Sequence, residues 1–506
     1  MSHRLIIKDA IWQLVGRVAS AVLGLLVVKI ISPYLWPYRF GDYKTILDFF
    51  AIWGALADFG LYVIALKTLW VMKEKIQGIK ENNQELETYY GKFVFSRLVT
   101  IGVVYIVAIF VAYMIPSYTS NPFLMRWLPL GMMFSATFMT AGIVQLPLQL
   151  FWKMEQVSIA LIGARLVQIV FLVMVVYLFF VKETLGQDIP VFVFLLIVFS
   201  ILLSGASQAI FVWWKSQKYL RLKLVVDRWY TWWLIKDHWQ YGTAYFLSSF
   251  HTLFIAILFS IFYPTIQGWD YVGIWSLALV FITVLIIIPA TLGNSMIHKI
   301  SHLDYEQRCD SLWHFLALVV WVGWFILIWC TGFADQIVYF LWDASFLGWW
   351  WDDPWSNTLL PWLALIMLWS FVKQSLNYNF VAHGKQNLLL WVNLLGVIIG
   401  VPFCIRLVQS FGLLGGLYWQ WFLELLFLWG ALYFSRKHKI LPNIPWRSLI
   451  YVVVLIWLFV YLTWFLSFIP HDNFLLTVFW WGLVVVSFSL LSYKVIKKIA
   501  KGLSPV

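Results

Sequence analysis

Arg17, Arg97 and Arg165 stand inside long apolar runs, and Asp48 and Asp58 do so within FGDYKTILDFFAIWGALADFGL, Phe40 to Leu61. An ionised carboxylate or guanidinium at mid-membrane costs roughly 2.5–3.5 kcal/mol on insertion scales, so each needs a partner or a task. Arginine is the side chain best suited to fork onto phosphate or carboxylate oxygens. Each arginine falls six or seven residues past the start of its apolar stretch, which at 1.5 Å per residue predicts a shared depth of roughly 10 Å. Asp58 falls at a similar or slightly greater depth. Three cations against one carboxylate form a layer able to receive an anion entering from the cytoplasm. The plainer reading pairs one arginine with Asp58 and lets the others reach back to the interface.

The remaining embedded polar groups divide in the same way. Asp48 lies about 80° around the helix from Asp58, and Lys29 is its expected partner, with a coupling-ion carboxylate (H+ or Na+) as the alternative. Lys373 sits about ten residues before the inner end of the tenth stretch. His251 lies in YFLSSFHTLF beside Ser248 and Ser249, as a hydrogen-bonded packing residue or a substrate or proton contact. Glu424 is expected to be paired or protonated, with a coupling role as the alternative. The acidic, indole-rich segment LWDASFLGWWWDDPW, Leu341 to Trp355, offers stacking faces and acceptors for sugars, yet tryptophan is also the ordinary interfacial anchor.

The elements that must position these groups are membrane helices. The 506-residue chain is 62% hydrophobic and only 11% charged, against roughly half and a quarter in globular proteins. About 14 stretches can cross roughly 30 Å of hydrocarbon, the first twelve from near 10–33 to near 413–435, the last two near 447–469 and 473–496. The run from Ile11 to Ile31 exceeds a signal-peptide core and lacks a small-residue cleavage site after it, so the first helix is expected to stay. The expected fold is an all-α polytopic membrane protein.

The formal charge of +12 is spread over alternate loops rather than gathered in one patch. Lys67 to Lys92, Lys153, Lys215 to Lys236, Lys385, Arg436 to Arg447 and Lys494 to Lys501 fall on one side. That is the positive-inside pattern, with both termini cytoplasmic in the inner (plasma) membrane and anionic lipid, not nucleic acid, as the partner of the basic loops. Three cysteines give neither a disulfide framework nor a zinc site. No phosphate loop, nucleophile elbow or metal-spaced cluster is present, and no cofactor is expected.

KSQKYLRLKLVVDRWYTWWLIKD, Lys215 to Asp237, divides the first twelve stretches into six and six. GDYKTILDFF after the first echoes DYVGIWSLAL after the seventh, and FWKMEQVSIALIGARLVQI echoes VAHGKQNLLLWVNLLGVI about 230 residues on. Six is even, so the halves share one orientation. Two parallel-repeat lobes, 1–236 and 237–440, are expected about a central cavity, with helices 13 and 14 in 441–506.

The segment GRVASAVLGLLVVKIISPYLWPYRFGDYKTILDFFAIWGALADFGL resembles the opening of the polysaccharide-transporter (Wzx-type) branch of the multidrug/oligosaccharidyl-lipid/polysaccharide flippase superfamily. YVGIWSLALVFITVLIIIPATLGNSMIHKIS, LPWLALIMLWSFVKQSLNYNFVAHGKQN and FGLLGGLYWQWFLE resemble that family's eighth, tenth and twelfth helices in order and spacing. The resemblance implies a flippase that carries an undecaprenyl-diphosphate-linked oligosaccharide to the outer leaflet by alternating access, its diphosphate held by basic cavity residues. It also implies polysaccharide polymerase and other assembly proteins as partners. An ion-coupled drug or small-solute antiporter of the same superfamily is the first alternative. A membrane glycosyltransferase or polymerase is the second, and it would need a longer outer loop than 341–355.

Overall fold

The computed structural model describes residues 3–58, 61–76, 83–179, 190–263, 266–301, 305–341, 346, 356–382 and 386–438. The stretches expected at 447–469 and 473–496, and nearly all of 342–355, lie outside them. In order the helices are α1 (His3–Asp58), α2 (Leu61–Ile76), α3 (Asn83–Met114), α4 (Pro116–Thr119), α5 (Pro122–Val144), α6 (Leu146–Leu150) and α7 (Met154–Phe179). They continue as α8 (Val191–Ser216), α9 (Arg228–Phe262), α10 (Ile266–Ser301), α11 (Tyr305–Gly332), α12 (Ala334–Leu341), α13 (Ser356–Ala382) and α14 (Gln386–Lys437). Among the described residues eight helices are long and apolar enough to cross a membrane, or nine if α11 and α12, bent by 80°, make one span. The protein is an all-helical, multi-pass membrane protein.

Two of these helices are too long for one crossing. The apolar part of α1 has 47 residues and that of α14 has 51, each over 70 Å if straight, about twice a hydrocarbon core. Each is broken where its sequence forbids regular helix. In α1, Pro33 and Pro37 flank Trp36, which has φ 50° and ψ 166°; each proline removes a helical donor, and Pro37 is well placed to start the next helix. In α14 the break is Gly412, at φ 54° and ψ −125°, a conformation that only glycine adopts without strain. The proline pair makes the turn between the first two spans a tight one.

Burial gathers the described helices into two large apolar clusters. The first joins α1 through α8 with Leu234, Trp269, Leu277, Val338 and Phe346. The second joins Ile255 to Phe259 of α9 with α10, α11, α13 and α14. They meet along α1 and α10, where a Cβ on Gly41 would collide with the Trp269 carbonyl and one on Gly273 with the Pro37 carbonyl. Backbones that close need glycine on both sides. Tyr118 on Trp269 and Phe40 on Phe346 flank this seam.

Candidate functional site

Arg97 on α3 is 2% exposed. Its guanidinium donates to the Asp58 carboxylate and to the Ala57 carbonyl, at the end of α1 where helix carbonyls lack partners and the dipole is negative. The pairing of Asp58 with one of the three arginines is therefore present, and that arginine is Arg97. It ties α3 to the junction of α1 and α2.

Arg165 on α7 donates to the Gln168 side chain at 2.8 Å, and Gln168 donates on to Ser200 of α8 at 3.4 Å. It also interacts electrostatically with the Tyr43 hydroxyl of α1. Arg17 on α1 interacts with the Tyr62 hydroxyl, which also accepts a hydrogen bond from Gln145 at 3.1 Å and donates to Gln149. Neither Arg17 nor Arg165 has an ion-pair partner among the described residues.

The three arginines face different groups of α1 and α2. The arginines reach Tyr62, Asp58 and Tyr43 in turn, and Tyr43 and Asp58 are separated by roughly 22 Å along one helix. α3 begins at Asn83, well before its apolar run, and α7 begins at Met154, close to the start of its own. Helical turns outside the hydrocarbon are invisible to a hydropathy reading. The arginines form a staggered column along the second half of α1 and the start of α2.

Asp48 corrects another expectation. Lys44, one turn earlier on the same helix, pairs with it at 2.9 Å, and Ser276 of α10 donates to its other oxygen at 3.4 Å. Lys29 instead stands 3.8 Å over the centre of the Phe340 ring. Sequence reasoning passed over Asp42, which is fully buried, ion-paired to Arg39 at 3.0 Å and bonded by Asn121 at 2.6 Å. The i, i+3 spacing of Arg39 and Asp42 was the available signal.

Lys373 on α13 and Glu424 on α14 come together at 2.7 Å, their side chains 13% and 4% exposed. The ammonium also lies 5.2 Å from the centre of the Phe427 ring, within cation–π range. His251 falls on α9; its side chain is outside the described ones. Thus Asp58, Asp48 and Glu424 each hold a cation, while Arg17 and Arg165 stand beside uncharged side chains among the described residues. A buried guanidinium with unspent donors can accept phosphate or carboxylate oxygens.

Residues 6–297 match the protein family described as polysaccharide biosynthesis protein. No curated protein matches the sequence. Among solved structures, the chain is similar to one described as lipid II flippase MurJ in an inward closed conformation, with TM-score 0.68 and 12% identity over 97% of this chain and 100% of that one. It is also similar to an inward-facing multidrug resistance MATE family transporter of the MOP superfamily, with TM-score 0.59 and 14% identity over 83% and 96%. A Vibrio cholerae MATE transporter aligns with TM-score 0.55 and 9% identity over 86% and 98%. Identities this low speak for a common fold alone.

Proposed function

The chain belongs to the polysaccharide biosynthesis protein family, and from that premise we propose that it flips an undecaprenyl-diphosphate-linked oligosaccharide from the cytoplasmic to the outer leaflet. The observation that carries this reading is the pair Arg17 and Arg165, cations without carboxylate partners among the described residues, inside a helical bundle whose fold matches that of a lipid II flippase. A diphosphate replaces the missing counter-charge, and the guanidinium donors replace the water its oxygens lose, lowering the crossing barrier. Arg97, neutralised by Asp58, holds the helices that carry them. Lys373 and His251 belong to the same binding surface in this reading, and the isoprenoid tail stays in the bilayer.

The working architecture is two parallel six-helix lobes, 1–236 and 237–440, with two further helices in 441–506. Two contacts on the seam support it. Asp48 and Ser276 are 228 residues apart, as are Gly41 and Trp269 (269 − 41 = 228), so equivalent positions of a 228-residue repeat meet across one axis. Both termini are cytoplasmic, and the lobes rock to open the cavity to each side in turn. Outside, the product passes to a polysaccharide polymerase and other assembly proteins.

The second reading, an ion-coupled small-solute antiporter, is favoured by the likeness to MATE transporters. One experiment separates the two: proteoliposomes receive either a fluorescent diphosphate-linked oligosaccharide or a dye against an H+ or Na+ gradient. Oligosaccharide movement that falls in Arg17→Gln and Arg165→Gln, at unchanged insertion, supports the flippase. Dye exchange without oligosaccharide movement overturns it.

A further inference from the structure

Between α8 and α9 the chain makes a strap that is clamped on one side and bare on the other. Its inner face is fixed to α3. Lys92 pairs with Asp227 at 2.8 Å and holds its carboxyl below the usual range. Ser96 meets Thr231 at 2.8 Å, and Glu87 takes Lys223 at 3.0 Å and the Arg221 backbone N–H at 3.2 Å. Leu220 and Leu234 are buried in the first apolar cluster.

The outer face has a different chemistry. Trp229, Trp232, Trp233 and Lys236 follow i, i+3, i+4, i+7 spacing and so form one stripe on the first turns of α9. Trp229 is 83% exposed and Trp232 63%. Leu224, Val226 and Trp239 are exposed beside them. Lys218, Arg221, Arg228 and Lys236 are exposed among the indoles; Arg221 also interacts electrostatically with Glu87. Residues 215–237 carry six basic and two acidic side chains, and one of the acids, Asp227, is occupied by Lys92.

We propose that this strap is a docking surface for anionic phospholipid headgroups, with the indoles at the acyl boundary and Lys218, Arg221, Arg228 and Lys236 on the phosphates. Continuity chooses lipid over a protein partner. The exposed Ile210, Trp213 and Trp214 of the α8 span run directly into the strap, so the bilayer that covers them extends to it. Indoles and long basic side chains are the residues that suit a headgroup layer. The inference requires only that the chain is embedded in a membrane, and it holds on whichever side the strap lies.

The test reads lipid, not transport, so its outcome is separate from that of the flippase assay. The full chain is reconstituted in nanodiscs of phosphatidylcholine with spin-labelled phosphatidylglycerol or phosphatidylcholine as probe. Wild type should immobilise the anionic probe several-fold more than the zwitterionic one, with the preference shrinking at high salt. The combined variant Lys218→Gln, Arg221→Gln, Arg228→Gln, Lys236→Gln should lose most of that preference. A control that neutralises Lys153, Arg436 and Lys437 should keep it. Equal immobilisation of both probes by wild type, or an unchanged preference in the fourfold variant, overturns the proposal. Trp232→Cys gives a second reading: phosphatidylglycerol should shield it from a water-soluble maleimide. Full labelling in both lipids would mean a surface left open to a protein, which also overturns it.

Discussion

Replacing Arg97 by Gln leaves the half-buried Asp58 carboxylate with no counter-charge and opens the Ala57 carbonyl as well. Breaking a buried pair from one side costs about 3 kcal/mol, so Arg97→Gln and Asp58→Asn should lower thermal stability in detergent. Arg17→Gln and Arg165→Gln remove charges that no carboxylate balances. They should leave melting nearly unchanged and cut oligosaccharide flipping at least tenfold, with Arg→Lys restoring part of it because charge survives while the fork does not. Lys373 and Glu424 give a complementary outcome. Lys373→Met or Glu424→Leu alone should lower the melting temperature, and the double variant should recover most of the loss, since two apolar groups leave no orphan charge. If the double variant is no better than the singles, the pair acts through more than its mutual charge. Asp58 and one arginine were legible as partners because each was isolated in apolar sequence. The partner of Asp48 was legible too, in the i, i+4 spacing of Lys44 and Asp48, but Lys29 on the neighbouring span was preferred to it.

Spans are read well from hydropathy, and turns poorly. The positions of α7, α8, α13 and both halves of α14 follow the apolar runs to within a few residues, since desolvating a helix sets its membrane length. Hydropathy missed the early start of α3, because helical hydrogen bonding outside the lipid leaves no apolar trace. At the seam the glycines set a testable limit. Gly41→Val or Gly273→Val should force α1 and α10 apart, since the added groups meet backbone that cannot move independently. Ser276→Cys placed in those backgrounds should react faster with an impermeant thiol reagent than in the parent chain. An unchanged rate would show that the seam relaxes elsewhere.

At the scale of the molecule, the proposed orientation, with the basic loops cytoplasmic, is open to labelling. Cysteines replacing Lys67, Lys153, Lys218 and Lys385 should resist an impermeant maleimide added to intact cells, while those replacing Asp270, Asp352 and Asp472 should react. Labelling at position 218 from outside would invert the assignment. The echo between distant segments was legible in the sequence, but the contact of Gly41 with Trp269 and of Asp48 with Ser276 was not, because likeness between segments does not specify contact. The strap adds a mechanical consequence. α9 runs unbroken from Arg228 to Phe262, held at Thr231 by Ser96 and at Phe259 by Tyr271 and Trp275. About 42 Å of helix lies between these anchors. A helix resists stretching far more than bending, so α9 is a strut of fixed length joining both apolar clusters. The clusters can swing about the Ser96–Thr231 fulcrum or flex the strut, but they cannot slide apart along it. Gly242 is the point of least stiffness on that strut, and its residue type sets how much of any rocking is taken up as bending and how much is delivered to the far end as leverage.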